Sequence, residues 1–251
     1  MSIIYRTKGF IYKKRDRGEA DRIFTAFAYD FGKIDIWAKS IRKIDSKLKS
    51  GIDIFYLSEI EFVQGKKKTL TDTFLINKFT EITKTPEKFI IAKKIAKLLD
   101  DFVKGEEHDH EIFNLLIETF EKLNLHTLNP KYYTLIYLSF VWNFFAILGY
   151  EPELSNCAHC HNKLNEKELY FSNKDGGIIC KNCLDEKKKI NTQYLSTLKI
   201  NSDIIKILRI IFKNDWNIIS KLKINLETQK ELNNISKNYY LYLLTSHSFK
   251  K

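Results

Sequence analysis

Proline and glycine are scarce in this chain, at three and nine of its 251 residues. That scarcity excludes a collagen-like repeat and leaves no low-complexity linker. Arginine is scarce as well, at six of the 42 basic residues. Cysteine is limited to four, all in one short segment, so no disulfide framework runs through the chain. The opening, MSIIYRTKGF, has only an Ile pair before charge resumes, far short of the apolar core of a secretion signal. One charge-free run of 19 residues occurs, from Tyr132 to Tyr150, long enough in principle to span a bilayer. It also holds Thr134, Ser139, Asn143 and four tyrosines, with no basic cluster confined to one flank. A helix buried by neighbours on all sides is the expectation, in a cytoplasmic protein with no membrane contact.

What is present is a chain long enough for two modest domains, 44% hydrophobic and 29% charged, so a packed core is expected. The formal net charge of +11 makes polyanions the first partner class. Its distribution is sharper than its size. Residues 1–80 carry 17 Lys+Arg against 10 Asp+Glu, and the remaining 171 residues carry 25 against 21. Five of the six arginines (Arg6, Arg15, Arg17, Arg22 and Arg42) fall in the first 42 residues. A guanidinium is a planar fork suited to phosphate, so residues 1–80 read as a polyanion-binding unit.

Those residues also read as strands: Tyr5–Lys14, Asp21–Tyr29, Gly32–Lys39, Ile52–Gln64 and Thr69–Lys78 are short, aromatic and β-branched. Alternation in Ile52/Ile54/Tyr56 and Ile60/Phe62 fits half-buried strands. Five short strands suit a small closed barrel; an OB-fold is the expectation, with an SH3-like barrel fitting the periodicity nearly as well. From Pro86 the period becomes helical, with segments at Pro86–Val103, Glu111–Leu123, Asn129–Tyr150, Asp203–Lys213, Asp215–Leu222 and Glu227–Thr245. The fold class is therefore α+β: an N-terminal OB-fold β-barrel followed by an α-helical bundle carrying a four-cysteine insertion. The expected divisions are 1–80 for the barrel, 81–154 and 189–251 for the helical domain, and 155–188 for the insertion.

The cysteines stand as Cys157-x2-Cys160-x19-Cys180-x2-Cys183. Each Cys-x-x-Cys puts two thiolates on a tight turn, and two such knuckles complete a closed tetrahedral site for one structural Zn2+. Gly176-Gly177 stands just before the second knuckle, where a hairpin turn is needed. A full cysteine set leaves His159 and His161 outside the coordination. A closed site does no catalysis, and no enzyme motif is complete. The deaminase pattern is absent, His108-Asp109-His110-Glu111 lacks the second His of His-Glu-x-x-His and reads as an exposed polar loop, and Gly65-Lys66-Lys67-Lys68-Thr69 only echoes a P-loop. Its natural role is a basic hairpin tip.

Three basic stretches remain as candidate DNA contacts. The first supplies Lys13, Lys14, Arg15 and Arg17, joined by Arg22; the second Lys39, Arg42, Lys43 and Lys47; the third Lys66 and Lys67. At the rim of a barrel they would track a phosphate backbone, while one or two of Tyr5, Phe10, Tyr12 and Trp37 would stack bases.

The order of several fragments resembles the RecO family of bacterial DNA repair proteins. They are Gly18-Glu19-Ala20-Asp21-Arg22-Ile23, Phe31-Gly32-Lys33-Ile34, Ala38-Lys39-Ser40-Ile41-Arg42-Lys43, then Leu148-Gly149-Tyr150-Glu151-Pro152-Glu153-Leu154 leading into Cys157-Ala158-His159-Cys160, followed by Tyr170-Phe171-Ser172 and Cys180-Lys181-Asn182-Cys183. The resemblance implies an OB-fold, a helical domain and a zinc-binding insertion. It also implies a non-enzymatic, nucleoid-associated mediator that binds ssDNA and dsDNA, anneals complementary strands, engages the acidic C-terminal tail of single-strand binding protein (SSB) and, with RecR, helps load RecA. Arg209, alone among the arginines in lying outside the N-terminal part, is the candidate for that tail. The rival reading is an OB-fold plus zinc-ribbon factor acting on RNA.

Overall fold

A computed structural model describes residues 3–164, 168–190, 194 and 197–248. Five strands close a barrel in the order β1-β2-β3-β5-β4, where β1 is Ile4–Arg17, β2 Asp21–Ala28, β3 Gly32–Ala38, β4 Leu57–Gln64 and β5 Lys68–Asn77. All pairs are antiparallel except β3 with β5, which run parallel at Ile36↔Lys68 and Trp37↔Thr69. That parallel closure makes the barrel OB-like. Alternate residues fill its interior, among them Ile11, Phe24, Ala26, Ile34, Ile36, Ile60 and Phe62, each essentially inaccessible. Burying each of the larger side chains contributes about 1.5–3 kcal/mol.

Two expected strand boundaries differ: β1 runs three residues past Lys14, to Arg17, and the fourth strand starts five residues late. Residues 52–56 form a turn, and β4 starts at Leu57. Phe55 takes φ 62° and donates its N–H to the Ile11 carbonyl at 2.6 Å, while Ile11 N–H reaches the Tyr56 carbonyl at 2.9 Å. The turn buries Ile52 and Phe55, three residues apart, and leaves Ile54 and Tyr56 half-buried, so the alternation Ile52/Ile54/Tyr56 does not mark a strand.

Helices α1 (Thr80–Lys84), α2 (Pro86–Phe102) and α3 (His110–Asn124) follow the barrel. Pro86 stands in the first turn of α2, where a missing N–H costs nothing. Asp109 caps α3, its carboxylate accepting Ile112 N–H at 2.9 Å. The expected polar loop over residues 108–111 is thereby corrected: His110 and Glu111 begin α3, and the His110 ring stacks on Tyr29 with centroids 4.0 Å apart. Phe10, Phe55, Phe79 and Phe120 lock barrel and helices together.

The charge-free run becomes α4 (Tyr133–Ile147), about 22 Å long, with Trp142, Phe144 and Phe145 fully buried. Gly149, at φ 82°, follows its end. Among the described residues no helix is long and apolar enough to cross a membrane. Contacts divide the chain into two units, Met1–Tyr137 and Leu138–Lys251. The second holds a sheet ordered β7-β6-β8 (β6 Leu169–Ser172, β7 Gly177–Cys180, β8 Leu198–Ile200), with α5 (Lys181–Ile190), α6 (Ser202–Phe212), α7 (Trp216–Ile219) and α8 (Leu226–Ser248). Inside that unit the Trp142 indole donates to Ser236 Oγ at 2.9 Å and stacks on Tyr239. The expected helix at Asp215–Leu222 is shorter, four residues capped by the Asp215 carboxylate.

Candidate nucleic-acid interface and metal centre

Strand register builds the first site. Arg15 of β1 lies beside Ile23 of β2, which lies beside Trp37 of β3, giving one row across the outer face of the barrel. Their neighbours Phe24, Ile36 and Ala38 point inward. The end of β1 leading into the β1–β2 loop, and the β4–β5 hairpin, border this row. Between them lies an open groove of about 620 Å3, walled by Arg15, Arg17, Trp37, Lys66, Lys67 and Lys68 together with Asp16, Asp35 and Glu106. A second hollow of about 370 Å3 shares Trp37, Lys66 and Lys67 and adds Lys39. Trp37 is the aromatic wall common to both. In OB-folds this face and these two loops are the usual seat of oligonucleotides.

The Trp37 ring is held in place. Its Nε1 donates to Asp21 at 2.8 Å, and the other Asp21 oxygen accepts Ser40 N–H at 2.8 Å. The Ser40 N–H and then the indole N–H hold the Asp21 carboxyl below the usual range, so it stays an acceptor. Lys67 Nζ sits 3.6 Å above the ring centroid. The other aromatics are committed elsewhere: Phe10 and Tyr12 are buried, and Tyr5 stacks on Phe62 inside the barrel.

The eleven candidate cations fall into different settings. Arg15, Arg17, Lys39, Lys66 and Lys67 line the two hollows. Arg22 and Arg42 converge on Asp16 from 2.7 and 3.6 Å. Arg15 itself pairs with Asp35 at 2.8 Å, and Lys14 with Asp53 at 2.5 Å. Lys13 turns to Asp100 of α2 at 2.8 Å, sharing it with Lys33, so that charge ties the barrel to a helix. Burial pushes the Asp100 carboxyl up, but the two lysines outweigh it and hold the pKa below normal. Among the described residues no carboxylate lies in ion-pair reach of Arg17, Lys39, Lys43, Lys47, Lys66 or Lys67. Lys68, the third lysine of the hairpin run, is nearly buried and bonds Glu106. The basic stretch Lys66–Lys68 was legible in the sequence, but not the carboxylate that takes Lys68 out of it.

The second site is a four-cysteine metal-binding cluster. The Sγ atoms of Cys157, Cys160, Cys180 and Cys183 all lie within 4.8 Å of one another. Four thiolates about 2.3 Å from one ion stand about 3.8 Å apart, so small side-chain rotations close the set. The first knuckle is turned by His161 N–H to the Cys157 carbonyl at 2.9 Å and by Cys157 N–H to the Asn162 carbonyl at 2.9 Å. The second joins the end of β7 to the first turn of α5. Burial pushes the Cys157 thiol up, yet the N–H groups of Cys160, Cys180 and His159 outweigh it and bring the pKa to about 7. His159 and His161 are exposed and stand outside the set. Gly176 turns the β6–β7 hairpin at φ 65°, and Gly177 packs so closely on Glu153 that an added Cβ would lie 2.5 Å from its carbonyl oxygen. Arg209, on α6, is exposed and donates from Nη2 to the Leu154 carbonyl at 2.5 Å.

Two family profiles cover nearly the whole chain: "Recombination protein O N terminal" matches residues 1–77 and "Recombination protein O C terminal" residues 84–251. Among similar proteins, a DNA repair protein RecO of Dehalococcoides mccartyi is 35% identical over 91% of this chain and 86% of its own. The proteins of that name from Desulforamulus reducens and Alkaliphilus metalliredigens are 27% and 26% identical over 96% and 98% of this chain, and 90% and 96% of theirs. An OB-like barrel, a helical C-terminal part with a four-cysteine cluster, and matches of this extent lead to one conclusion: the chain belongs to the RecO family of DNA repair proteins.

Proposed function

We propose that this protein is a non-enzymatic mediator of DNA repair and recombination. It binds ssDNA and dsDNA on the barrel, anneals complementary strands, and acts with RecR to load RecA onto strands coated with SSB. The observation that carries the reading is the cationic, Trp37-centred groove on the OB face of a chain in this family. Annealing then needs no nucleotide hydrolysis. Lysines and arginines that neutralise phosphates on two strands remove the repulsion between them, and base pairing does the rest. Residues 1–80 serve as the nucleic-acid-binding domain. Residues 155–188 are an insertion in a helical domain of 81–154 and 189–251, held by one structural Zn2+ on Cys157, Cys160, Cys180 and Cys183. The ion supplies cross-linking alone, since four thiolates leave no open position. The acidic tail of SSB meets the exposed Arg209. The setting is the cytoplasm, beside the nucleoid.

The test is fluorescence annealing of complementary oligonucleotides, bare and SSB-coated, at low and moderate salt. The expected result is annealing faster than the spontaneous rate in both cases, declining as salt rises. A protein that binds structured RNA but neither binds nor anneals DNA at low salt would overturn the proposal.

A further inference from the structure

We propose that Trp37 is a base-stacking platform that gives the groove a preference for unpaired over paired DNA, with Lys67 as its removable cover. This deepens the DNA-binding reading and rests on it. Every other aromatic candidate is ruled out by placement, since Phe10 and Tyr12 are buried and Tyr5 stacks within the barrel. Of the four, Trp37 lines both hollows, half-buried, beside the partly exposed Ile23. Its indole is fixed at the edge by Asp21, so little ordering remains to be done when a ligand arrives.

The ring face in the groove is covered by a cation. Lys67 Nζ lies 3.6 Å above the centroid, on a flexible side chain at an exposed hairpin tip. A base stacking on the ring takes that place, and the displaced ammonium, held within a side chain's length of the same spot, meets the phosphate of the stacked nucleotide. One contact is exchanged for two. Duplex DNA has no free base face to offer, so it can use the surrounding cations but not the platform. The single-strand preference therefore resides in one ring, and the strand-independent affinity in the lysines and arginines around it.

The experiment measures binding of the full chain to three labelled probes of about 20 nucleotides: oligo-dT, a mixed-sequence duplex, and an abasic strand with the same phosphates. Trp37→Ala should weaken oligo-dT binding about 5- to 150-fold, the fold-change that corresponds to about 1–3 kcal/mol for one stacked base. It should leave duplex and abasic binding within about twofold and the salt slope unchanged. Trp37→Phe, which keeps a ring, should restore most of the loss and also controls for folding. Lys67→Ala should lower the salt slope by about 0.7 while keeping the preference for single strands. Equal losses on oligo-dT, duplex and abasic strand would overturn the platform, as would no loss on any, and both would leave DNA binding standing. If the unaltered chain binds none of the probes, the functional reading fails and the platform with it.

Discussion

Gly32 and Gly18 offer a matched pair for testing how the barrel holds the segment after α2. Both have positive φ, 63° and 60°, and both follow or form tight turns between strands. They differ in surroundings. A Cβ on Gly18 would meet nothing within 4 Å, whereas one on Gly32 would lie 2.1 Å from the Glu107 carbonyl oxygen and 2.6 Å from its carbon. Alanine in the left-handed region costs about 1–2 kcal/mol, of which about 0.4–1 kcal/mol is offset by a less flexible unfolded chain. Gly18→Ala should therefore cost about 1 kcal/mol or less. Gly32→Ala carries the same conformational cost and must also push backbone by more than 1 Å to reach ordinary contact, a further cost of about 1–3 kcal/mol.

Urea unfolding of both variants, followed by circular dichroism and by tryptophan fluorescence, measures the difference. The two glycines belong to the same unit, so the comparison holds whatever the order in which the units unfold. The displaced segment carries Glu106, the partner of Lys68 in the groove wall. Gly32→Ala should thus also release Lys68 and steepen the salt dependence of DNA binding by as much as ~0.7. Equal destabilisation by the two substitutions would refute the packing of residues 106–107 on the β2–β3 turn.

The Cys180→Ser variant should lower bound zinc from about one ion per chain and lower the thermal transition of the second unit, leaving DNA affinity of the barrel unchanged; metal analysis and melting curves check this. Asp100, held below its ordinary pKa by Lys13 and Lys33, supplies stability that is full above about pH 4 and is lost as pH falls through its depressed value. Asp100→Asn should accordingly flatten the acid limb of stability, read from urea midpoints at neutral and acid pH. The salt slope for a single strand should be about 4, the share of the six unpaired cations, rather than the ~8 that all eleven candidates would give. A slope near 8 would mean that the ion pairs on Asp16, Asp35, Asp53 and Asp100 open on binding.

Most of the fold was legible because its signals are local. β2, β3 and β5 begin and end within a residue of where alternation places them, and Pro86 and Gly149 mark helix ends by chemistry that needs no partner. The misses share a cause. Residues 52–56 alternate in sequence as Ile52/Ile54/Tyr56, but the turn buries Ile52 and Phe55, so the alternation there is not that of a strand. Helix α5 went unseen because it buries only Cys183 and Leu184 and is otherwise lysine-rich. Its position depends on the metal knuckle, a tertiary contact with no apolar period. β8 has three residues, too few for any period to show.

The four-cysteine cluster was legible, because a knuckle is a local motif and two of them bring four thiols together. The cationic groove was legible only in outline, because a cation's availability depends on carboxylates that are remote in sequence. Lys13 and Lys33 are neutralised by Asp100, 87 and 67 residues away, and Lys68 by Glu106, 38 residues away. Composition counts all of these as positive charge in a basic barrel. Only the folded chain separates those that dock helices from those that face the groove. The same holds for the aromatics: Tyr5, Phe10, Tyr12 and Trp37 are equivalent as letters, yet Tyr5 packs into the barrel, Phe10 is covered by Phe79 and Phe120, Tyr12 is buried, and Trp37 lines the groove. A surface built by register from a lysine-rich background is therefore defined less by where its cations are than by which of them lack an acid.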